Sequence, residues 1–383
     1  MTGSIHPYEQ EGVFQKATPW LMAAQAELKS NEGRILGKYS YAGVDYTIKV
    51  TVGSVWVLAC WSAAGHIAFR VGYNPSPFLD VNLSQMGEQN QDLSIDTAIG
   101  KMRVAIEMPS DEHPALHWTT SITLDRETMF PYWPRDVYVL SQDDDLFKSR
   151  GTVHAMQRGP KAGLVYLTVR EPRSGSMFYL QNLTRLNQYA DHAHTSLGKT
   201  VGGEWPELGF ALPPSQKPLP AGEEIILSDG FAQLSPTIPK DSFEAARLFI
   251  DLYADVYLQL PWVECEYHDW PTRAEQTLAQ LTRSSQVSLK KDGKQYFIAY
   301  VNSKDKPVEV MVQGAMLILA VEYESWRKKP IPLINRTRKV LPEFYDPKIK
   351  SLIRWQPQMH FPDGKLEEQE HARIMDSWYL YHP

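Results

Sequence analysis

Cysteine is almost absent: Cys60 and Cys265 are the only two in 383 residues. Two thiols so far apart make neither the disulfide framework of a small secreted domain nor a structural zinc site, so no metal is expected. No stretch approaches the ~20 apolar residues that cross a bilayer, which removes the membrane as a partner. The opening Met1-Thr2-Gly3-Ser4-Ile5-His6-Pro7-Tyr8 lacks the basic and apolar regions of a secretion signal, and a cytoplasmic location is expected. An excess of positive charge is missing as well. The formal net charge is −6, without the basic stripe that neutralises phosphates, so no nucleic-acid partner is expected. There is no Gly-rich phosphate loop, no Gly-x-Ser-x-Gly elbow and no Cys/His nucleophile signature, and no cofactor is expected.

Aromatic residues are what the chain has in excess: 11 Trp, 19 Tyr and 13 Phe. Rigid, amphipathic rings suit cores, and they equally suit clefts in which a ring face meets the C–H face of a sugar. The hydrophobic share of 43% and charged share of 22% are those of an ordinary globular protein. Its length allows two cores, since single domains mostly run to about 100–200 residues.

The texture changes near residue 240. Before it, short runs rich in Val, Tyr and Trp are broken by Gly, Pro, Asn and Asp. The runs Ile35–Tyr41, Tyr46–Val50, Ser54–Trp61 and His66–Tyr73 read as strands, as do Lys101–Met108, Leu116–Leu124 and Val137–Leu140. Gly163–Arg170, Met177–Leu183 and Glu224–Leu234 continue the series. Many strands with little helical period between them predict a large antiparallel β-sandwich, with one short helix near Trp20–Leu28. The Pro-rich run from Ala211 to Pro220 is a surface loop, and Pro236–Lys240 is the expected linker.

From Asp241 the pattern is helical. Asp241-Ser242-Phe243-Glu244 resembles a capping box, and Phe243, Ala246, Phe249, Ile250, Tyr253, Val256, Tyr257 and Leu260 recur at three and four residues up to Pro261. Pro271 opens a second helix running to about Leu281. Lys294–Val301 is extended, and Val308–Arg327 is a third helix, apolar on most sides and expected in the interior of a helical layer. A fourth lies near Ile334–Tyr345. The expected fold class is therefore α+β, with a sandwich over residues 1–238 and a helical domain over 239–383.

A sandwich followed by aromatic-rich helices resembles the glycoside hydrolases and phosphorylases built on an (α/α)6 toroid, the six-hairpin glycosidases. Glucoamylases and the maltose and cellobiose phosphorylases share this order. The segments compatible with it are Phe130-Pro131-Tyr132-Trp133-Pro134-Arg135-Asp136, Gly202-Gly203-Glu204-Trp205-Pro206-Glu207-Leu208-Gly209 and Met375-Asp376-Ser377-Trp378-Tyr379-Leu380-Tyr381. Twelve toroid helices at ~11–12 residues each, with their connections, need more chain than Asp241–Pro383 supplies. The helices are thus expected to be the first of an incomplete toroid, and the aromatic faces of Ile374–Pro383 to need partners further along the chain.

The resemblance implies a carbohydrate partner and cleavage of a glycosidic bond by two carboxyl groups, one protonated and one ionised. Glu204 and Glu207, bracketing Trp205-Pro206, are the pair most suggestive by context, with Trp205 placed to stack on a sugar. Equally, Trp205 could plug the core while both glutamates bond backbone amides in a tight turn. A second cluster holds Glu264, Glu266, His268 and Asp269 beside Trp262 and Trp270. Asp269 and Trp270 are candidate sugar contacts, against a plain capping role for Asp269. The third candidate is Asp376, with Trp378, Tyr379 and His382 as its substrate-binding neighbours, since a carboxylate among aromatic residues is costly unless it is paired or functional. Asp143-Asp144-Asp145 reads as a solvated turn. The rival to an enzyme is a non-catalytic sandwich that binds carbohydrate or another protein.

Overall fold

A computed structural model of the chain describes residues 9–61, 65–86, 90–156, 163–171, 174–261, 269–300, 308–328, 332–348 and 350–353. The chain divides into two compact units, Met1–Trp262 and Val263–Pro383.

In the first unit, β1 (Gln10–Val13) and α1 (Pro19–Lys29) precede β2 (Arg34–Tyr41), β3 (Val44–Val50), β4 (Ser54–Trp61) and β5 (His66–Tyr73). Next come β6 (Asp80–Met86), β7 (Asn90–Thr97), β8 (Gly100–Glu107), β9 (Leu116–Leu124) and β10 (Val137–Leu140). After these stand β11 (Arg150–Met156), β12 (Leu164–Glu171), β13 (Gly175–Gln181) and the short helix α2 (Asn187–Ala193). The unit closes with β14 (Val201–Glu204), β15 (Glu207–Phe210), β16 (Glu224–Ser235) and α3 (Ser242–Gln259). Ten of these strands match the runs read from the sequence. β1, β6, β7, β11, β14 and β15 are additional.

The strands form two antiparallel sheets. The larger has nine in the order β1-β11-β12-β13-β16-β9-β8-β7-β6, and the smaller has seven in the order β14-β15-β10-β5-β4-β3-β2. Their inner faces share one apolar core, in which Phe69 of one sheet lies 5.6 Å from Trp118 of the other. Along β8, Met102, Val104 and Ile106 point inward while Lys101, Arg103 and Glu107 point out, the alternation of a sheet wet on one side. β4 and β5 are buried along nearly their whole length, because they are covered on both sides. Leu21, Ala24 and Leu28 of α1 pack on Trp56, Ala68 and Tyr138 behind the smaller sheet.

α3 covers the opposite face. Ala245, Leu252 and Val256 pack on Tyr166, Phe178 and Phe231 of the larger sheet, so the compact unit extends past the Pro236–Lys240 segment. The expected cap is present: Asp241 accepts the Glu244 amide at 2.8 Å, and the Glu244 carboxylate reaches back to the Lys240 amide at 2.9 Å. Inside the unit, the Arg70 guanidinium is buried over the rings of Trp56, Tyr73 and Tyr138 at 4.5, 5.2 and 5.0 Å.

The second unit holds α4 (Trp270–Arg283), a hairpin of β17 (Ser288–Lys291) and β18 (Lys294–Phe297), α5 (Val310–Arg327) and α6 (Pro332–Arg338). A 3-10 turn (Leu341–Phe344) and a two-residue pair of strands, β19 (Tyr345–Asp346) and β20 (Ser351–Leu352), come last. Asp292 and Gly293, both at positive φ, make the tight turn of the hairpin. α5 docks on β18 through Gln313, whose amide accepts the Phe297 N–H at 2.7 Å and donates to its carbonyl at 2.8 Å. The expectation that α5 lies in the interior of a helical layer is corrected here. Ile318 and Val321 are exposed, while Val310, Gln313 and Ala320 are the buried positions of α5, which packs on β18, α6, the 3-10 turn and Leu278 of α4. No described helix is long and apolar enough to cross a membrane.

Candidate functional site

The site is built around the β14–β15 hairpin, whose strands are joined by Trp205 and Pro206 through a cis peptide. Its register sets Glu204 directly opposite Glu207. Directly paired residues point to the same side of a sheet, with Cβ atoms about 4.5–5.5 Å apart, so the two carboxylates leave the hairpin side by side.

Trp205 goes the other way. Its indole is buried, and its N–H donates to the Ser149 carbonyl at 3.0 Å and to the Ser149 hydroxyl at 3.1 Å. The ring fills a slot between Gly12 and Gly151, which are themselves paired across β1 and β11. A Cβ on either glycine would run into the indole, which is why this slot carries no side chains. Trp205 therefore serves the core of the sandwich while one edge of it lines the cleft beside the glutamates.

The two glutamates differ in their surroundings. Glu207 is half-buried and accepts hydrogen bonds from the Thr18 hydroxyl at 3.0 Å and from the Tyr138 hydroxyl at 3.5 Å. Thr18 is the N-cap of α1 and takes the Leu21 amide at 2.9 Å, so a single hydroxyl ties the helix end to the carboxylate. Tyr138 in turn accepts from the buried Arg70 guanidinium at 3.0 Å. A cation thus stands behind the phenol that donates to Glu207. Glu204 is exposed and has no hydrogen bond or ion pair among the described residues. Among the described residues neither glutamate side chain bonds a backbone amide in the turn, the alternative raised by the sequence.

Lys16, Thr18, Trp20, Leu21, Tyr132, Arg135, Gly203 and Trp205 join the two glutamates around a cleft of about 450 Å³. Trp20 and Tyr132 are partly open to solvent, at 39% and 36%, with ring centroids 5.7 Å apart. Burial raises the Tyr132 hydroxyl above its ordinary pKa; Arg135 opposes this and Glu207 adds to it. Arg135 donates through one nitrogen to the carbonyls of Thr200 at 3.2 Å and Gly209 at 2.6 Å. A second cavity of about 370 Å³ adjoins the hairpin and shares Gly203, Glu204 and Trp205 with the first.

Behind the hairpin, Asp136 is buried and accepts the Phe210 amide at 2.8 Å and the Tyr179 hydroxyl at 2.7 Å. Burial pushes its carboxyl up to about 7, against the pull of those hydrogen bonds and of Arg135. On the outer face of the larger sheet, His117 lies between Asp229 at 2.9 Å and Glu107 at 3.2 Å. Burial pulls this imidazole down, but the two carboxylates outweigh it and hold it at about 9.

The other candidates fall elsewhere. Asp269 occupies the N-cap of α4, yet its carboxylate takes the Thr272 hydroxyl rather than a backbone amide. Trp270 begins the same helix and is largely exposed. Asp376, Trp378, Tyr379 and His382 lie outside the described residues, as do Trp262, Glu264, Glu266 and His268. Asp143, Asp144 and Asp145 form a turn whose carboxylates pair with Lys29, Lys148 and His66. Among the described residues no group of His, Cys, Asp and Glu is arranged to hold a metal. The sequence did not single out Lys16, Thr18, Trp20 or Arg70 for this site. Tyr132 and Arg135 stood in a run noted only for its resemblance.

Compared with known proteins, the chain matches no family model and no curated relative.

Proposed function

We propose that the first unit recognises carbohydrate in the cleft beside the β14–β15 hairpin. One observation carries this reading: two partly exposed rings, Trp20 and Tyr132, stand in one cavity with two facing carboxylates and two cationic side chains. Ring faces take the C–H surface of a pyranose, and carboxylates and cations take its hydroxyls. The volume of about 450 Å³ suits one or two sugar residues. The order of a large antiparallel sandwich followed by helices supports, by analogy of architecture, a place among the six-hairpin glycosidases and phosphorylases.

Hydrolysis is the second reading, and the pairing of Glu204 with Glu207 favours it. A retaining glycosidase separates its two carboxyl groups by about 5–5.5 Å, and an inverting one by about 6.5–9.5 Å. Two cross-strand glutamates can span either distance. Glu207, held by two hydroxyl donors, is the more firmly positioned of the two.

The test is titration with a panel of oligosaccharides, monitored by tryptophan fluorescence and calorimetry. Trp20→Ala and Tyr132→Ala should each weaken binding at least tenfold while the unfolding transition stays sharp. If the wild-type protein ignores every saccharide, the reading fails. Release of reducing sugar that Glu204→Gln and Glu207→Gln both abolish would establish hydrolysis; binding without release leaves a recognition module.

A further inference from the structure

We propose that the saccharide taken by this cleft carries a carboxylate, as a uronic acid does, and that Arg135 receives it with Lys16 adding charge. The inference rests on the carbohydrate reading above and names the class of sugar. Arg135 is half-buried on the cleft wall. One of its nitrogens is committed to the carbonyls of Thr200 and Gly209, which fixes the plane of the guanidinium. The group lies against Gly203, where a Cβ would come within 2.8 Å of its Cδ and 2.9 Å of its Nε. Glycine at this point of the hairpin leaves room for the cation.

What Arg135 lacks is an anion. Among the described residues no carboxylate stands within ion-pair distance of it, and the same holds for Lys16. The nearby Asp136 turns its oxygens to Tyr179 and Phe210 instead. Some other cations on this unit have carboxylate partners, as Lys29 with Asp145, Lys101 with Asp96 and Arg103 with Asp92, whereas Lys49 and Arg34, like Arg135, bond carbonyls. A half-buried guanidinium with its remaining N–H groups unengaged is a fork that matches a planar carboxylate in two parallel hydrogen bonds. Neither glutamate occupies this fork: Glu207 is held by the hydroxyls of Thr18 and Tyr138, and Glu204 is exposed, with no ion pair among the described residues.

The experiment compares trigalacturonate with its methyl ester, which has the same rings and hydroxyls but no charge. Calorimetric titration of the full chain at fixed ionic strength should give at least tenfold tighter binding of the acid. Lys16→Ala and Arg135→Lys should each weaken the acid far more than the ester, bringing that ratio toward one. Lys16 is exposed, so its variant keeps the comparison open if Arg135→Lys unfolds. Raising the salt tenfold should weaken the acid and spare the ester. Equal binding of acid and ester, or a ratio that survives both substitutions, overturns the inference and leaves carbohydrate recognition standing. A sulfated oligosaccharide that outcompetes the uronate overturns the choice of carboxylate. A protein that binds neither the uronates nor any neutral saccharide overturns both readings.

Discussion

Replacing Asp136 by Asn should stabilise the protein at neutral pH and leave it unchanged in acid. The carboxyl is buried and its pKa stands at about 7 against an ordinary 3.8, so the folded state favours the neutral form. At about 1.4 kcal/mol per pH unit, the rise corresponds to roughly 4 kcal/mol of preference for neutrality. The sign comes from proton counting. Between pH 3.8 and 7 the folded chain holds a proton here that the unfolded chain has released, so this group's contribution to stability falls as pH rises through that window. Below it both states are protonated and the contribution is level.

Asparagine copies the neutral acid at this site. Its oxygen still accepts the Phe210 amide. Its NH2 donates to the Tyr179 hydroxyl, which then turns its own hydrogen to Gln181, 3.1 Å away. Urea unfolding of both proteins from pH 4 to 8 gives the difference curve, in which other titrating groups cancel. The variant should match wild type near pH 4 and exceed it by roughly 2–4 kcal/mol at pH 8. A variant destabilised by the same amount at every pH would refute the reasoning, because the ionised oxygens would then be indispensable to the fold.

Trp205→Ala should cost about 3–5 kcal/mol, much of a ~5–15 kcal/mol margin, so thermal unfolding should separate this core residue from Trp20, whose removal leaves the midpoint nearly unchanged. Gly12→Ala drives a methyl into the Trp205 ring and should cost about 1–3 kcal/mol by the same measurement; a neutral result would mean that the slot is loose. His117, at about 9, should appear as an imidazolium at pH 7 in NMR, and its stabilisation should be complete below pH 6.5 and be lost as pH rises through about 9. A titration near 6.5 would show that Asp229 and Glu107 do not hold the proton. Thr18→Val removes the cap of α1 and one donor to Glu207, and should cost about 1–2 kcal/mol in denaturant unfolding.

How much of this could be read in the chain depended on whether the signal was local. β4, β5 and β9 are dense in Val, Trp, Leu and Ile between turns, and α3 announces itself with Asp241 and Glu244 at its start. β6 and β7 escaped because they are polar: Asp80, Asn82 and Ser84, then Asn90, Asp92 and Ser94, mask the inward Leu93 and Ile95. The alternation from Gln91 to Thr97 was the available clue. The candidate site was half legible for the same reason. Glu204 and Glu207 are three residues apart, and their spacing was visible. That they face each other depends on a hairpin of only two connecting residues, and that Tyr132, Arg135 and Trp20 surround them depends on strand order. β10 pairs with β15 across some seventy residues of sequence, at Tyr138 with Glu207. This pairing carries the end of the Phe130–Asp136 run to the hairpin, and α1 is brought there by its packing on Trp56 and Tyr138. Trp205 could not be placed by composition alone, because an aromatic between two glutamates looks the same in sequence whether its ring faces a ligand or a slot. The information that decides between them lies at Gly12 and Gly151, two residues without side chains, more than fifty positions away. The role of Trp205 is therefore written in the glycines it faces, whereas Trp20 and Tyr132 keep part of their surface open to solvent.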